Sequence, residues 1–86
     1  MNTGGSGSAG EVLAEESAFT AGDLVLFLDQ YPPAQDADAD EWILWHELIV
    51  DLWRQIRAEH PFLIDAASYV IAYHARRAAC WQRARN

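Results

Sequence analysis

The chain has 86 residues, 51% of them hydrophobic, and a formal net charge of −7. One domain is expected at this length, because two halves would each bury too little surface for a core. No stretch reaches the ~18 to 20 uncharged apolar residues that a bilayer span needs. The N-terminus lacks the basic and apolar regions of a signal peptide. We therefore expect a cytoplasmic protein that makes no membrane contact.

The charge is divided unevenly along the chain. Residues 1–53 hold 11 acidic residues and no base, whereas residues 54–86 hold 2 acidic residues and 6 arginines. Cys80 is the only cysteine, which excludes an internal disulfide and a cysteine-based zinc site. The absence of lysine beside 15 alanines indicates a GC-rich bacterium or one of its phages as the source.

The N-terminal residues divide into a tail and a short helix. Residues 1–10 are mostly Gly and Ser, which bury too little surface to offset the entropy of ordering, so we expect a disordered, flexible tail. Residues 11–86 are expected to form a single helical domain. Its first helix is predicted from Glu11 to Phe19, because Ser8 and Glu11 have the spacing of a capping box.

A second capping box is predicted between Thr20 and Asp23, ahead of five apolar residues at positions 24–28. A short apolar run fits a buried strand or a helix. The cap, and the lack of a strand partner elsewhere, favour a helix. It should end near Tyr31, since two prolines follow and proline cannot donate to the helical ladder.

The strongest helix prediction covers Glu41 to Glu59, which contain no Gly or Pro. It follows an acidic loop, and Asp40 fits its N-cap. One broad apolar stripe is expected to face a core or a partner. This stripe contains Trp42, Trp45, Leu48, Ile49, Leu52, Trp53 and Ile56.

The last helix is predicted from about Phe62 to Ala84, after a break at Pro61, which fits a first helical position. Two of its sides differ in character. One carries Phe62, Tyr69, Tyr73 and Cys80, which predicts that Cys80 is buried; the other carries Ser68, Ala72, Ala75 and Ala79, which would allow close helix approach. The fold predicted is an all-α bundle of three to four helices, built on an antiparallel hairpin of the two long helices.

The tryptophans and the C-terminal arginines are the candidate functional residues. Three indoles on one helix, with a fourth near the C-terminus, are either core residues or anchors for a partner. The arginines complement a helix dipole, contact a partner, or bind nucleic-acid phosphates. Inside an antiparallel hairpin, Arg76 and Arg77 would lie opposite Glu47, and Arg83 would lie close to Asp38, Asp40 and Glu41.

No catalytic or metal-binding pattern is visible. His46 lacks the second histidine of a zincin motif, because Val50 occupies that position. We expect His46 at the edge of the core, and His60 and His74 on the surface. The chain also lacks a nucleophile with an adjacent base and a Gly-rich phosphate loop. We therefore expect no enzymatic activity, cofactor or metal.

The sequence favours a non-enzymatic protein–protein interaction module, meaning a small accessory, adaptor or assembly subunit. It would dock a larger protein or form a homo-oligomer. The predicted partner-binding residues are Trp42, Trp45, Trp53, Trp81, Arg76, Arg77 and Arg83. Two alternatives remain open: a nucleic-acid-binding protein that uses the C-terminal arginines, and an acidic DNA-mimic inhibitor of phage origin.

Overall fold

A computed structural model describes residues 19–85, and within this range all regular structure is helical. Helix α1 spans Ala21–Gln30, α2 spans Ala39–Glu59, and α3 spans Ile64–Arg85; a 3₁₀ turn at Pro61–Leu63 joins the last two. The all-α prediction is confirmed. The Gly/Ser tail and most of the helix predicted before α1 lie outside the described residues.

The start of α1 is fixed by the predicted capping box. The Thr20 hydroxyl accepts a hydrogen bond from the Asp23 backbone N–H at 3.0 Å, and the Asp23 carboxylate accepts one from the Thr20 N–H at 3.1 Å. Residues 24–28 are helical, so the helix interpretation was right. At the other end, the backbone N–H of Tyr31 donates to the carbonyls of Phe27 and Leu28. Two prolines then prevent a further turn.

Helix α2 begins two residues earlier than predicted. Asp38, and not Asp40, is the N-cap, and its carboxylate accepts from the Glu41 N–H at 3.0 Å. Asp40 and Glu41 lie in the first turn, where their charges complement the positive end of the helix dipole. The helix ends at Glu59, as predicted, and the His60 N–H donates to the Ile56 carbonyl.

Two side-chain hydrogen bonds between α2 and α3 give the relative direction of these helices. Near the connecting turn, Arg57 donates to the Ser68 hydroxyl at 3.0 Å. Toward the other end, the Gln82 amide donates to the Glu47 carboxylate at 3.4 Å. Residue numbers therefore rise on one helix as they fall on the other, so these two helices are antiparallel. Helix α1 packs against α2.

The core consists of small and β-branched residues. Its hydrophobic members are Ala21, Ile43, Ile49, Val50, Ile56, Ala67, Ile71 and Ala78. Ala67 is completely buried, at 0% exposure. Because the distance between helix axes depends on side-chain size, alanines at the contact let α2 and α3 approach closely. The predicted strip of small residues is not the buried one: Ala72 and Ala75 are exposed, and Ser68 and Ala79 are half-buried.

The apolar stripe predicted on α2 was largely right, whereas the one on α3 was wrong. On α2, Ile49 and Ile56 are buried and four other stripe residues are half-buried, while Leu48 is exposed. Ile43 and Val50, outside the predicted stripe, are also buried. On α3, the line through Phe62, Tyr69 and Cys80 faces outward. Those bulky rings would hold the helices apart, whereas alanines do not. The predicted burial of Cys80 was therefore wrong.

Within residues 19–85, none of the helices combines the length and the apolarity that a membrane crossing requires.

Candidate functional site

Five rings form an aromatic cluster where α2 and α3 meet: Trp42, Trp45, His46, His74 and Trp81. Trp42 stacks on Trp81 with ring centroids 5.6 Å apart and planes inclined by 5°. The edge of Trp45 meets Trp42 at 5.8 Å. The indole of Trp81 therefore has an aromatic partner within the chain.

The remaining predicted anchors are also held by neighbouring helices. The ring N–H of Trp45 donates to the Leu28 carbonyl oxygen at 2.9 Å, which joins the end of α1 to α2. Trp53 lines a hollow with Ile49 and Val70. All four tryptophans are half-buried, so they are neither wholly enclosed core residues nor freely exposed anchors.

A histidine pair lies at the centre of the aromatic cluster. The Nδ1 atoms of His46 and His74 are 2.8 Å apart, and His46 is 4% exposed. When both rings are neutral, one Nδ1–H donates to the other Nδ1. His46 is buried more deeply than the predicted core-edge position, and the predicted surface position of His74 was wrong, since its ring is half-buried.

The surroundings of this pair favour its neutral form. Burial lowers the pKa of His46 to about 4, and the charges of His74 and Arg77 act in the same direction. Burial also lowers the pKa of His74, although Asp29 on α1 opposes this effect. In the part of the chain that the structure describes, no group of three or more His, Cys, Asp or Glu side chains is placed to hold a metal ion.

A second apolar surface, which we call the α1–α2 groove, lies on the outer side of α1. Its first hollow is lined by Phe19, Asp23, Leu24 and Phe27. Its second hollow is lined by Tyr31, Pro33, Glu41, Leu44, Trp45 and Leu48. The rings of Phe27 and Tyr31, 4.8 Å apart, connect the two hollows. The two hollows are therefore neighbours, and the Phe27 and Tyr31 rings between them are exposed to solvent.

Each hollow has one carboxylate at its edge, Asp23 in the first and Glu41 in the second. Among residues 19–85, the ion pairs are Arg54–Asp51 and Arg85–Asp40, so neither groove carboxylate takes part in one. Residues 1–53 contain no base. The α1–α2 groove thus combines apolar side chains with two carboxylates that have no basic partner among residues 19–85.

The predicted partners of the arginines are replaced by others. Gln82, and not Arg76 or Arg77, faces Glu47. Arg85 binds Asp40, whereas Arg83 donates to the Cys80 sulfur at 3.2 Å. The cause is the register of the hairpin, which places residues 82 and 85 opposite the first half of α2. Arg76, Arg77 and Arg83 are exposed on α3.

No family model, curated protein or solved structure matches the chain. The site must therefore be interpreted from its own chemistry. Sequence reasoning missed the groove residues Leu24, Phe27, Tyr31 and Leu44 as candidates. The signal was present in positions 24–28, because five consecutive apolar residues on a helix point in every direction while a short helix buries only one side.

Proposed function

We propose that the protein is a non-enzymatic interaction module, a small accessory, adaptor or assembly subunit, that binds another protein chain through the α1–α2 groove. The observation that carries the proposal is the exposure of large apolar side chains along this groove. Phe27 is 59% exposed and Leu44 is 58% exposed, and Leu24 and Tyr31 are exposed beside them. Contiguous apolar surfaces of this kind mark interaction sites.

The groove offers enough apolar surface for useful affinity. Complete burial of one large apolar side chain contributes roughly 1.5–3 kcal/mol. Leu24, Phe27, Tyr31 and Leu44 are each about half exposed, so burial of their remaining surface offsets part of the association cost, which is on the order of 4–15 kcal/mol. Aromatic residues near the centre of a contact carry much of its energy, and the Phe27–Tyr31 pair occupies that central position.

The tryptophans have a supporting role in this proposal. Trp45 forms part of the second hollow and ties α1 to α2 through Leu28. The stack of Trp42 on Trp81 keeps α2 against α3. We infer that the hairpin of α2 and α3 is the scaffold of a small bundle, and that α1 is the element that meets the partner.

Nucleic-acid binding is the second candidate. It is favoured by Arg76, Arg77 and Arg83, which are exposed on one helix. The acidic surface of the rest of the chain opposes approach to phosphates. Binding of this kind would weaken steeply as salt is raised, because phosphate contacts release counterions. A DNA-binding titration at two salt concentrations distinguishes this candidate from groove binding.

The test compares tagged wild-type protein with Phe27→Ser and with a control, Ala58→Ser, when each is purified from the native host. Ala58 is exposed at the end of α2 and does not line the groove. Circular dichroism first establishes that all three fold alike. Light scattering and stained gels then report the mass and stoichiometry of any complex.

We expect wild type and Ala58→Ser to form the same complex, with another protein or with further copies of the chain, in a fixed ratio. Phe27→Ser should lose it. If the complex persists in Phe27→Ser, the groove is not the binding surface. If all three proteins are monomers without a stoichiometric partner, the interaction function is rejected.

A further inference from the structure

We propose that the occupant of the α1–α2 groove is the outer face of α3 of a second copy of the chain. This inference rests on the proposed function and names the partner of that same groove. Its basis is that one chain carries two exposed surfaces of complementary chemistry, and that no helix within residues 19–85 covers either of them.

The backbone of the groove restricts what can bind there. Most of the groove's side chains come from α-helices, apart from Phe19, Tyr31 and Pro33 in the adjoining loops, and the backbone donors and acceptors of a helix are already paired within it apart from the ends. An extended segment would find no sheet edge to pair with, and its own N–H and C=O groups would stay unsatisfied when buried. A helix, which satisfies its own backbone, therefore fits this surface best. Helices bind such grooves through side chains spaced by three to four residues.

The outer face of α3 supplies a helix with that spacing. Its exposed residues at positions 69, 73, 76, 80 and 83 follow a helical repeat and lie on one side. We call this surface the α3 stripe and define it by Tyr69, Tyr73, Arg76, Cys80 and Arg83. Tyr69 is 71% exposed. The stripe therefore presents aromatic rings first and cationic groups after them.

The charges of the two surfaces are opposite. The groove carries Asp23 and Glu41 and no base, whereas the α3 stripe carries Arg76 and Arg83. Opposite charges across an interface speed association and fix the register. Pairing of groove with groove in a symmetric dimer would instead place carboxylates against carboxylates, which is unfavourable. The complementary contact is therefore groove to stripe.

A contact between two different surfaces of the same chain is heterologous, and this property gives a sharp test. A groove variant, Phe27→Ser, keeps its stripe intact. A stripe variant, Tyr69→Ser with Arg76→Glu, keeps its groove intact. Arg54→Glu makes the same charge change at an exposed α2 residue outside both surfaces and serves as the control. Circular dichroism establishes that each variant is folded.

Light scattering then measures mass over a range of concentrations. Wild type and Arg54→Glu should self-associate, while the groove variant and the stripe variant should each be monomeric alone. When these two variants are mixed, a complex should form, because one intact groove meets one intact stripe. Its dissociation constant should rise at least tenfold between low and high salt, or when Asp23→Asn and Glu41→Gln are introduced.

Three results would overturn the inference. One is a wild-type protein that remains monomeric at every concentration, and another is a mixture of the two variants that does not associate. Neither result rejects the proposed function, since a different protein can still occupy the groove, and the comparison of Phe27→Ser with Ala58→Ser in the native host decides that question separately. Self-association that survives in the groove variant alone would also reject groove-to-stripe pairing.

Discussion

The α2–α3 interface and the α1–α2 groove are both rich in large apolar side chains, yet the chain treats them differently. At the interface, Trp42 meets Trp81 and His46 meets His74. In the groove, Phe27 and the side chains around it face solvent. Among residues 19–85, a helix lies on the opposite side of the first surface, and none lies on the opposite side of the groove.

Helix length explains why. Helix α3 has 22 residues and lies along the 21-residue α2, whereas α1 has only 10 residues, and Ala21 is its only fully buried member. A short helix with apolar side chains on several faces cannot enclose them all. A buried apolar side chain therefore indicates a contribution to folding stability. A group of apolar side chains that stays exposed indicates a surface that binds a partner.

The largest effect on stability should come from the buried side of this comparison. Ile49 is 3% exposed on α2, and we expect Ile49→Ala to lower the free energy of unfolding by about 2–5 kcal/mol through the cavity that it leaves. Urea denaturation followed by circular dichroism measures the change. If Ile49→Ala does not fold, Ile49→Val should cost about 0.5–1.5 kcal/mol. The adjacent Leu48→Ala, at an exposed position, should cost clearly less, and equal costs would contradict the assigned buried face.

The second effect is a dependence of the free energy of unfolding on pH. The pKa of His46 is lowered to about 4 in the folded protein, so the unfolded state binds protons more readily. Stability is therefore complete above the ordinary histidine pKa of about 6.5 and is lost as the pH falls toward 4, by roughly 3 kcal/mol for this group. Denaturation at several pH values measures this loss.

The matched variants assign the pH dependence to the histidine pair. His46→Gln keeps a polar group opposite His74 but cannot titrate, and it should flatten the curve between pH 6.5 and pH 4. His60→Gln replaces a histidine that is exposed in the turn between the long helices, and it should leave the curve unchanged. If both variants flatten the curve equally, the histidine pair is not the cause of the pH dependence.

The sequence was informative about local structure and less so about how helices face one another. The capping box at Thr20, the stop before two prolines and the end of α2 at Glu59 depend on neighbouring residues, and each was predictable. The orientation of α3 was not, because its aromatic line and its alanines offer two plausible buried sides, and only the fit against α2 selects the alanines.

The contacts between distant residues were the least predictable. His46 and His74 are 28 residues apart, and no spacing rule connects them. The ion pair of Arg85 with Asp40 depends on the register between α2 and α3, which the spacing of residues along either helix does not determine. The α1–α2 groove could not be predicted for a further reason. Helix periodicity shows which apolar residues share a face, but not whether another helix covers that face.

The smallest expected effect on the free energy of unfolding comes from two partly exposed aromatic residues, one in the α2–α3 interface and one in the groove. Trp81→Leu removes a stacked ring inside the hairpin and should cost about 0.5–1.5 kcal/mol beyond the lost area. Phe27→Leu removes a ring that faces solvent, and the free energy of unfolding should change by no more than about 0.5 kcal/mol. Urea denaturation of dilute samples, in which association is negligible, measures both. If Phe27→Leu lowers the free energy of unfolding as much as Trp81→Leu does, the groove side chains stabilise the folded monomer and do not form a free binding surface. If the two values differ as expected, the ring of Phe27 contributes little to the stability of the folded monomer, which supports the groove as a binding surface.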